Sequence, residues 1–196
     1  MVRKRNTERR TALVDAAIEV LAAEGARGLT FRAVDEAAEV PKGTASNYFT
    51  SREDLFNQVG GRIHTRLGPT ASALAANTLA PRTREAVVWL MTEMVRRIID
   101  DRTGYLALQE LRLEATRRPE LRAALTATVR ANLDANIKQH TGSGLPGDAD
   151  SVVLLYFSVT ALVVEHLTLP EVLDGAGAEG LDGLVRMFVE RAIPAD

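Results

Sequence analysis

The chain has 196 residues, of which 46% are hydrophobic and 26% charged, so it can bury a core as one domain or two small ones. It contains no cysteine, which excludes disulfides, thiolate metal sites and a cysteine nucleophile and fits a reducing cytosol. The formal charge of −2 argues against a polyanionic partner, but residues 1–66 carry a net +2 and residues 67–196 a net −4. A cationic front on an acidic body points to nucleic acid or an anionic membrane at that end, or to a solvated tail.

The basic start, with Arg3, Lys4, Arg5, Arg9 and Arg10, is not followed by an apolar segment and so does not read as a signal peptide. In residues 8–24, Leu13, Val14, Ala17, Ile18 and Leu21 form one helical stripe, and Gly25 follows as a stop. Thr30 is placed to cap a helix over 31–38, with Leu29 and Val34 spaced as a hydrophobic staple. Glu39-Val40-Pro41 breaks that pattern, and a short polar helix over 41–49 follows. Such a helix has little apolar surface and cannot stand alone in water. Ser51-Arg52-Glu53-Asp54 matches a capping box ahead of a helix at 52–66. Gly68, Pro69 and the small residues up to Pro81 mark a boundary.

Longer helices are expected at 83–101, 105–117, from Pro119 to about 140, at 151–169 and at 181–193. The segment 151–169 is apolar nearly all round and should be buried on all sides. Its unbroken apolar run, 152–164, contains Ser158 and Thr160 and is too short and polar for a membrane span. The fold class is therefore all-α, with about nine helices, and the last two offer more apolar surface than one small domain needs. They suit a bundle shared with a second copy.

No catalytic constellation is present. His64, His140 and His166 are far apart, and neither a phosphate-binding glycine loop nor a nucleophile elbow occurs. No metal site or cofactor is expected. Glu165-His166, on an apolar helix, reads as a polar contact in a core or interface or as part of a ligand site.

Two helices of about eight residues joined by a tight turn, over 30–52, form a helix-turn-helix pattern. There the second helix enters the major groove, so its polar face becomes a working surface. Lys42, Thr44 and Tyr48 are phosphate-contacting types, Asn47 can pair bidentately with adenine, and Gly43 lets the backbone approach closely.

The stretch GLTFRAVDEAAEVPKGTASNYFTSREDLF, residues 28–56, resembles the DNA-binding domain of the TetR family of bacterial transcriptional repressors. The likeness rests on Leu29-Thr30, Ala37-Ala38, Val40, Lys42-Gly43-Thr44, Tyr48-Phe49 and Ser51-Arg52. The chain departs from that pattern at Glu39, where glycine is usual, at Pro41, which replaces a side-chain N-cap, and at Ala45-Ser46, where Leu-Tyr is common. The resemblance implies that Thr30, Arg32, Lys42, Gly43, Thr44, Ser46, Asn47, Tyr48 and Arg52 contact a double-stranded DNA operator. The basic N-terminal arm would add phosphate or minor-groove contacts.

By the same resemblance, residues 1–50 would be the DNA-binding domain, 52–66 a connector, and 67–196 a domain that binds an unknown small-molecule effector. Dimerisation would use 151–169 and 181–193. The ligand site would lie among helices 83–101, 105–117, 121–140 and 151–169, with Trp89, Tyr105, Gln109, Tyr156 and Glu165 as candidates. The expected protein is a cytoplasmic, ligand-responsive homodimeric repressor without a membrane partner, found with the nucleoid when bound to DNA. The alternative is a helical small-molecule or protein-binding module that does not bind DNA.

Overall fold

The computed structural model describes residues 2–175 and 180–194, the side chains of 2–5 and 77 excepted. Among these residues the structure is all-helical. The α-helices are α1 (Val2–Gly28), α2 (Phe31–Ala37), α3 (Arg52–Leu67), α4 (Ala71–Leu79), α5 (Arg84–Asp100), α6 (Arg102–Ala115), α7 (Pro119–Ser143), α8 (Ala149–Thr168) and α9 (Gly180–Ala192). Two 3₁₀ turns, Ala45–Asn47 and Pro170–Leu173, complete them. The side chains of Arg3, Lys4 and Arg5 lie outside the described residues.

The chain forms two compact units. The first joins Met1–Gly68 with Asp101–Ala127, and the second joins Pro69–Asp100 with Thr128–Asp196. In the first, α1 packs against α2, α3 and α6. The stripe read from the sequence is its core: Leu13, Ala17, Ile18 and Leu21 are fully buried, with Leu29, Val34, Phe49, Leu55 and Phe56 closing over them. From α6, Ala107 and Leu111 enter the same cluster. In the second unit, α5 and α8 pack against α9 around Val87, Val88, Leu155 and Val189. The Ser151 hydroxyl donates to the Ala192 carbonyl at 2.9 Å and ties the start of α8 to the end of α9.

Three of these α-helices differ from expectation. The first helix begins at Val2, because no breaker precedes Gly25; the expected stop appears as a kink there, at φ 68° and ψ −177°. The small residues before Pro81, read as a boundary, form α4 with Thr70 as N-cap. Alanine is the best helix former, and an exposed alanine-rich helix shows no apolar stripe to reveal it.

Third, α8 is not buried on all sides. Leu154 is 49% and Phe157 60% exposed, on one face of the helix. At 20 residues and a mean hydropathy of 1.7, α8 is long and apolar enough to cross a membrane by length and composition, and 33% of its most apolar stretch is buried. The run 152–164 understated it, because Ser158 and Thr160 interrupt a run but not an average.

Candidate nucleic-acid interface

Residues 41–48 do not form an α-helix. Pro41 supplies neither an N–H nor a side-chain acceptor, and Gly43 turns to φ 88°. Only a single 3₁₀ turn, Ala45–Asn47, follows. Thr44 precedes that turn without a side-chain cap bond; its hydroxyl donates instead to the Pro41 carbonyl at 2.5 Å. The Ser46 hydroxyl likewise donates back to the Gly43 carbonyl at 2.8 Å.

The segment is held from outside. Asp35, on α2 and 2% exposed, accepts the Gly43 N–H on Oδ2 at 2.7 Å and the Ala45 N–H on Oδ1 at 2.6 Å. Its own carbonyl accepts the Val40 N–H at 3.0 Å and closes the turn. Ala45 and Phe49 anchor the other side in the core, and Phe49 stacks on Phe31 with ring centroids 6.3 Å apart. Between these anchors Lys42, Gly43, Ser46 and Asn47 are exposed, and Thr44 and Tyr48 are half-buried. The Arg10 guanidinium lies 5.7 Å from the Tyr48 ring centroid and also donates to Gln58. An exposed polar ridge thus stands on a rigid, buried base.

The flanking positions divide. Thr30 is the N-cap of α2, its hydroxyl accepting the Ala33 N–H at 3.1 Å, and it is exposed beside Arg32. Ser51 caps α3 as expected, accepting the Asp54 N–H at 3.1 Å. The Asp54 carboxylate accepts from the Thr50 N–H rather than that of Ser51. Gln58 and Thr50 donating to it hold the Asp54 carboxyl below its ordinary value of 3.8.

Arg52 is half-buried and engaged within the fold. It donates to the Ala26 carbonyl and lies over the Phe56 ring at 5.3 Å. Arg118, between α6 and α7, lies 5.2 Å from the same ring centroid and bonds Glu114 at 2.6 Å and Glu53 at 2.5 Å. That contact holds the Glu114 carboxyl below its ordinary 4.5 and raises the Arg118 guanidinium.

Sequence reasoning missed Asp35 and Glu110, whose carboxylate faces the Ala26 N–H at 3.4 Å behind the Gly25 kink. A signal for Asp35 was available: an acidic residue inside the buried stripe, next to Val34, and a following segment whose Pro41 cannot cap itself.

Of the candidate ligand residues, Tyr105 and Gln109 lie one turn apart on α6, in the first unit. Tyr105 is buried, and the Gln109 Nε2 is buried without a hydrogen-bond partner in the protein. Trp89, 52% exposed, and the half-buried Tyr156 and Glu165 belong to the second unit. No group of three or more His, Asp or Glu side chains suited to a metal ion occurs among the described residues.

A tight turn between two short elements, an exposed polar segment on a buried base and a helical C-terminal half define a helix-turn-helix transcriptional regulator fold. Residues 13–59 match the family model described as bacterial regulatory proteins, tetR family, and residues 82–195 match the tetracyclin repressor-like C-terminal domain. The chain belongs to the TetR family.

Solved structures agree on the fold. A TetR-family member from Streptomyces coelicolor A3 is 23% identical with a TM-score of 0.68, over 96% of this chain and 99% of that one. A TetR-family regulator from a Rhodococcus species is 23% identical with a TM-score of 0.65, over 95% and 96%. The multidrug binding protein EbrR, complexed with proflavin, is 26% identical with a TM-score of 0.56, over 94% and 99%. No curated protein matches the chain.

Proposed function

We propose that this protein is a homodimeric, ligand-responsive transcriptional repressor that binds a palindromic operator through residues 41–48 and leaves it when a small molecule binds the 67–196 region. The observation that carries the reading is the exposed ridge Lys42, Gly43, Ser46 and Asn47, raised on a base fixed by Ala45, Phe49 and Asp35. The side chains of Lys42 and Asn47 so placed can reach phosphates and base edges, and the fixed base beneath them limits the entropy lost on doing so. Thr30, Arg32, Thr44 and Tyr48 border the ridge and would position the phosphate backbone, with the N-terminal basic residues adding charge. Arg52 would act mainly by holding Ala26 and Phe56, and so the start of α3, in place.

The exposed Leu154 and Phe157 on α8 support a second copy docking through α8 and α9. In dimers of this kind two reading segments fall ~34–36 Å apart, one turn of DNA. The buried Gln109 Nε2, without a hydrogen-bond partner in the protein, supports α6 as an element that meets the effector, and proflavin, with which EbrR is complexed, is a first probe. Coupling between effector and DNA is reciprocal and typically worth ~1–3 kcal/mol. The protein would work in the cytoplasm as a regulator and not an enzyme. Selection of bound sequences from random duplex DNA tests the reading. A palindromic motif is expected, and a pool without enrichment would leave only the alternative of a binding module without DNA.

A further inference from the structure

We propose that Asp35 is the positioning residue of the DNA-reading segment, supplying from α2 the cap that Pro41 cannot provide, an inference that rests on the DNA-binding reading above. The start of a helical turn leaves backbone N–H groups without internal partners, and a nearby side-chain oxygen ordinarily accepts them. Here every local candidate is unsuited or otherwise engaged. Pro41 has no side-chain acceptor, and the Thr44 and Ser46 hydroxyls both donate to carbonyls. The N–H groups of Gly43 and Ala45 go instead to the two oxygens of one carboxylate, eight and ten residues back in the chain.

Ala45 is fully buried, so its N–H has no recourse to water if Asp35 is removed. Gly43 sits at φ 88° with open space around its Cβ direction, so it is held by hydrogen bonds, its N–H to Asp35 and its carbonyl from the Ser46 hydroxyl, and not by packing of a side chain of its own. The Asp35 carbonyl also fixes the Val40 N–H, and one residue therefore sets both the entry and the start of the segment. Lys42, Thr44, Ser46 and Asn47 all lie within two residues of a capped N–H. Loosening the cap should blur base reading, which depends on pose, and spare phosphate attraction, which depends on charge.

The test uses the full chain and two duplexes of equal length, one carrying the sequence selected by the parent and one scrambled. Asp35→Ala should weaken binding to the selected duplex roughly 10–100-fold and to the scrambled duplex by less than about threefold. Asp35→Asn, which keeps one acceptor oxygen but turns a donor toward the second N–H, should fall between. Adding Pro41→Ser to Asp35→Ala restores a hydroxyl at the ordinary capping position and should recover about fivefold or more of the loss.

Amide hydrogen exchange at Gly43 and Ala45, measured without DNA, judges the cap separately. Both amides should be protected in the parent and exposed to exchange in Asp35→Ala. If circular dichroism shows that Asp35→Ala has lost its helices, Asp35→Asn decides by the same ratio. Equal weakening on both duplexes, an unchanged ratio in both variants, or unprotected parental amides would overturn the proposal. A parent that prefers no duplex while its amides are protected would overturn the DNA reading and leave the cap standing as a feature of the fold.

Discussion

Glu39 is the non-glycine residue with positive φ among those described, at 52°, in the turn between α2 and the reading segment. The left-handed region brings Cβ against the following carbonyl and costs a non-glycine residue about 1–2 kcal/mol. Glutamate has no compensating local bond of the kind asparagine makes. Its side chain is exposed, and its N–H bonds the Glu36 carbonyl at 3.1 Å, which any residue would retain. Glu39→Gly should therefore release the strain while losing about 0.5–1 kcal/mol to the greater freedom of glycine in the unfolded chain. The net is a stabilisation of about 0.5–1 kcal/mol, or roughly 1–4 °C in Tm for a chain of this size. Urea unfolding should show a raised midpoint with an unchanged m value. Glu39→Ala is the control, because it removes the same charge but keeps Cβ. A glycine variant no more stable than the alanine variant would refute the argument from strain.

The converse change, Gly43→Ala, meets no atom within 4 Å of the new Cβ, yet it should cost about 1–2 kcal/mol through the backbone alone; denaturation reads the cost and duplex titration the displaced segment. Asn47→Ala should relax preference at one operator position at a cost of roughly 1–3 kcal/mol, read by repeating the DNA selection. Phe157→Asp places a charge on the exposed face of α8 and should yield monomers in analytical ultracentrifugation at micromolar concentration with helix content intact; a parent already monomeric would remove the proposed interface. Glu114→Gln should cost about 1 kcal/mol at pH 7, since it weakens the bond to Arg118. The folded Glu114 carboxyl titrates below its ordinary 4.5, so its contribution is complete above pH 4.5 and is lost as pH falls through its lowered value. Parent and variant stabilities should therefore converge as pH falls below 4.5, in unfolding curves measured from pH 7 downward.

The sequence made helices legible wherever one face was apolar and the ends carried caps. Thr30 and Ser51 both serve as N-caps at the expected residues, because each leaves a side-chain oxygen over its own orphan N–H groups. α4 was hidden because alanine supplies propensity without pattern, and the exposed half of α8 was hidden because an apolar run does not show which side meets the rest of its own chain. The ridge itself was legible as residues but not as structure. Counting polar side chains identified Lys42, Ser46 and Asn47, whereas the 3₁₀ geometry depends on Gly43 and on a carboxylate brought in from another helix. Such a contact leaves no periodic trace. Arg52 shows the same limit, since its residue type suits phosphate but does not reveal its contacts with the Ala26 carbonyl and the Phe56 ring.

Asp35, Glu39, Pro41 and Gly43 are best understood as one device. Pro41 removes the local cap, Asp35 restores it from α2, and Gly43 takes the positive φ that lets its N–H face that carboxylate. Glu39 stands slightly apart, because its strain is intrinsic to its own φ and its N–H is bonded back into α2. Neighbours that share a hydrogen-bonding group are coupled, whereas strain confined to one residue adds independently. Changes at Asp35 and Pro41 should therefore be strongly non-additive, and a change at Glu39 should add to either. The division matters for the ridge. Glu39 can be relaxed to gain stability while the pose of Lys42, Ser46 and Asn47 is kept, but any change in the cap alters stability and reading together.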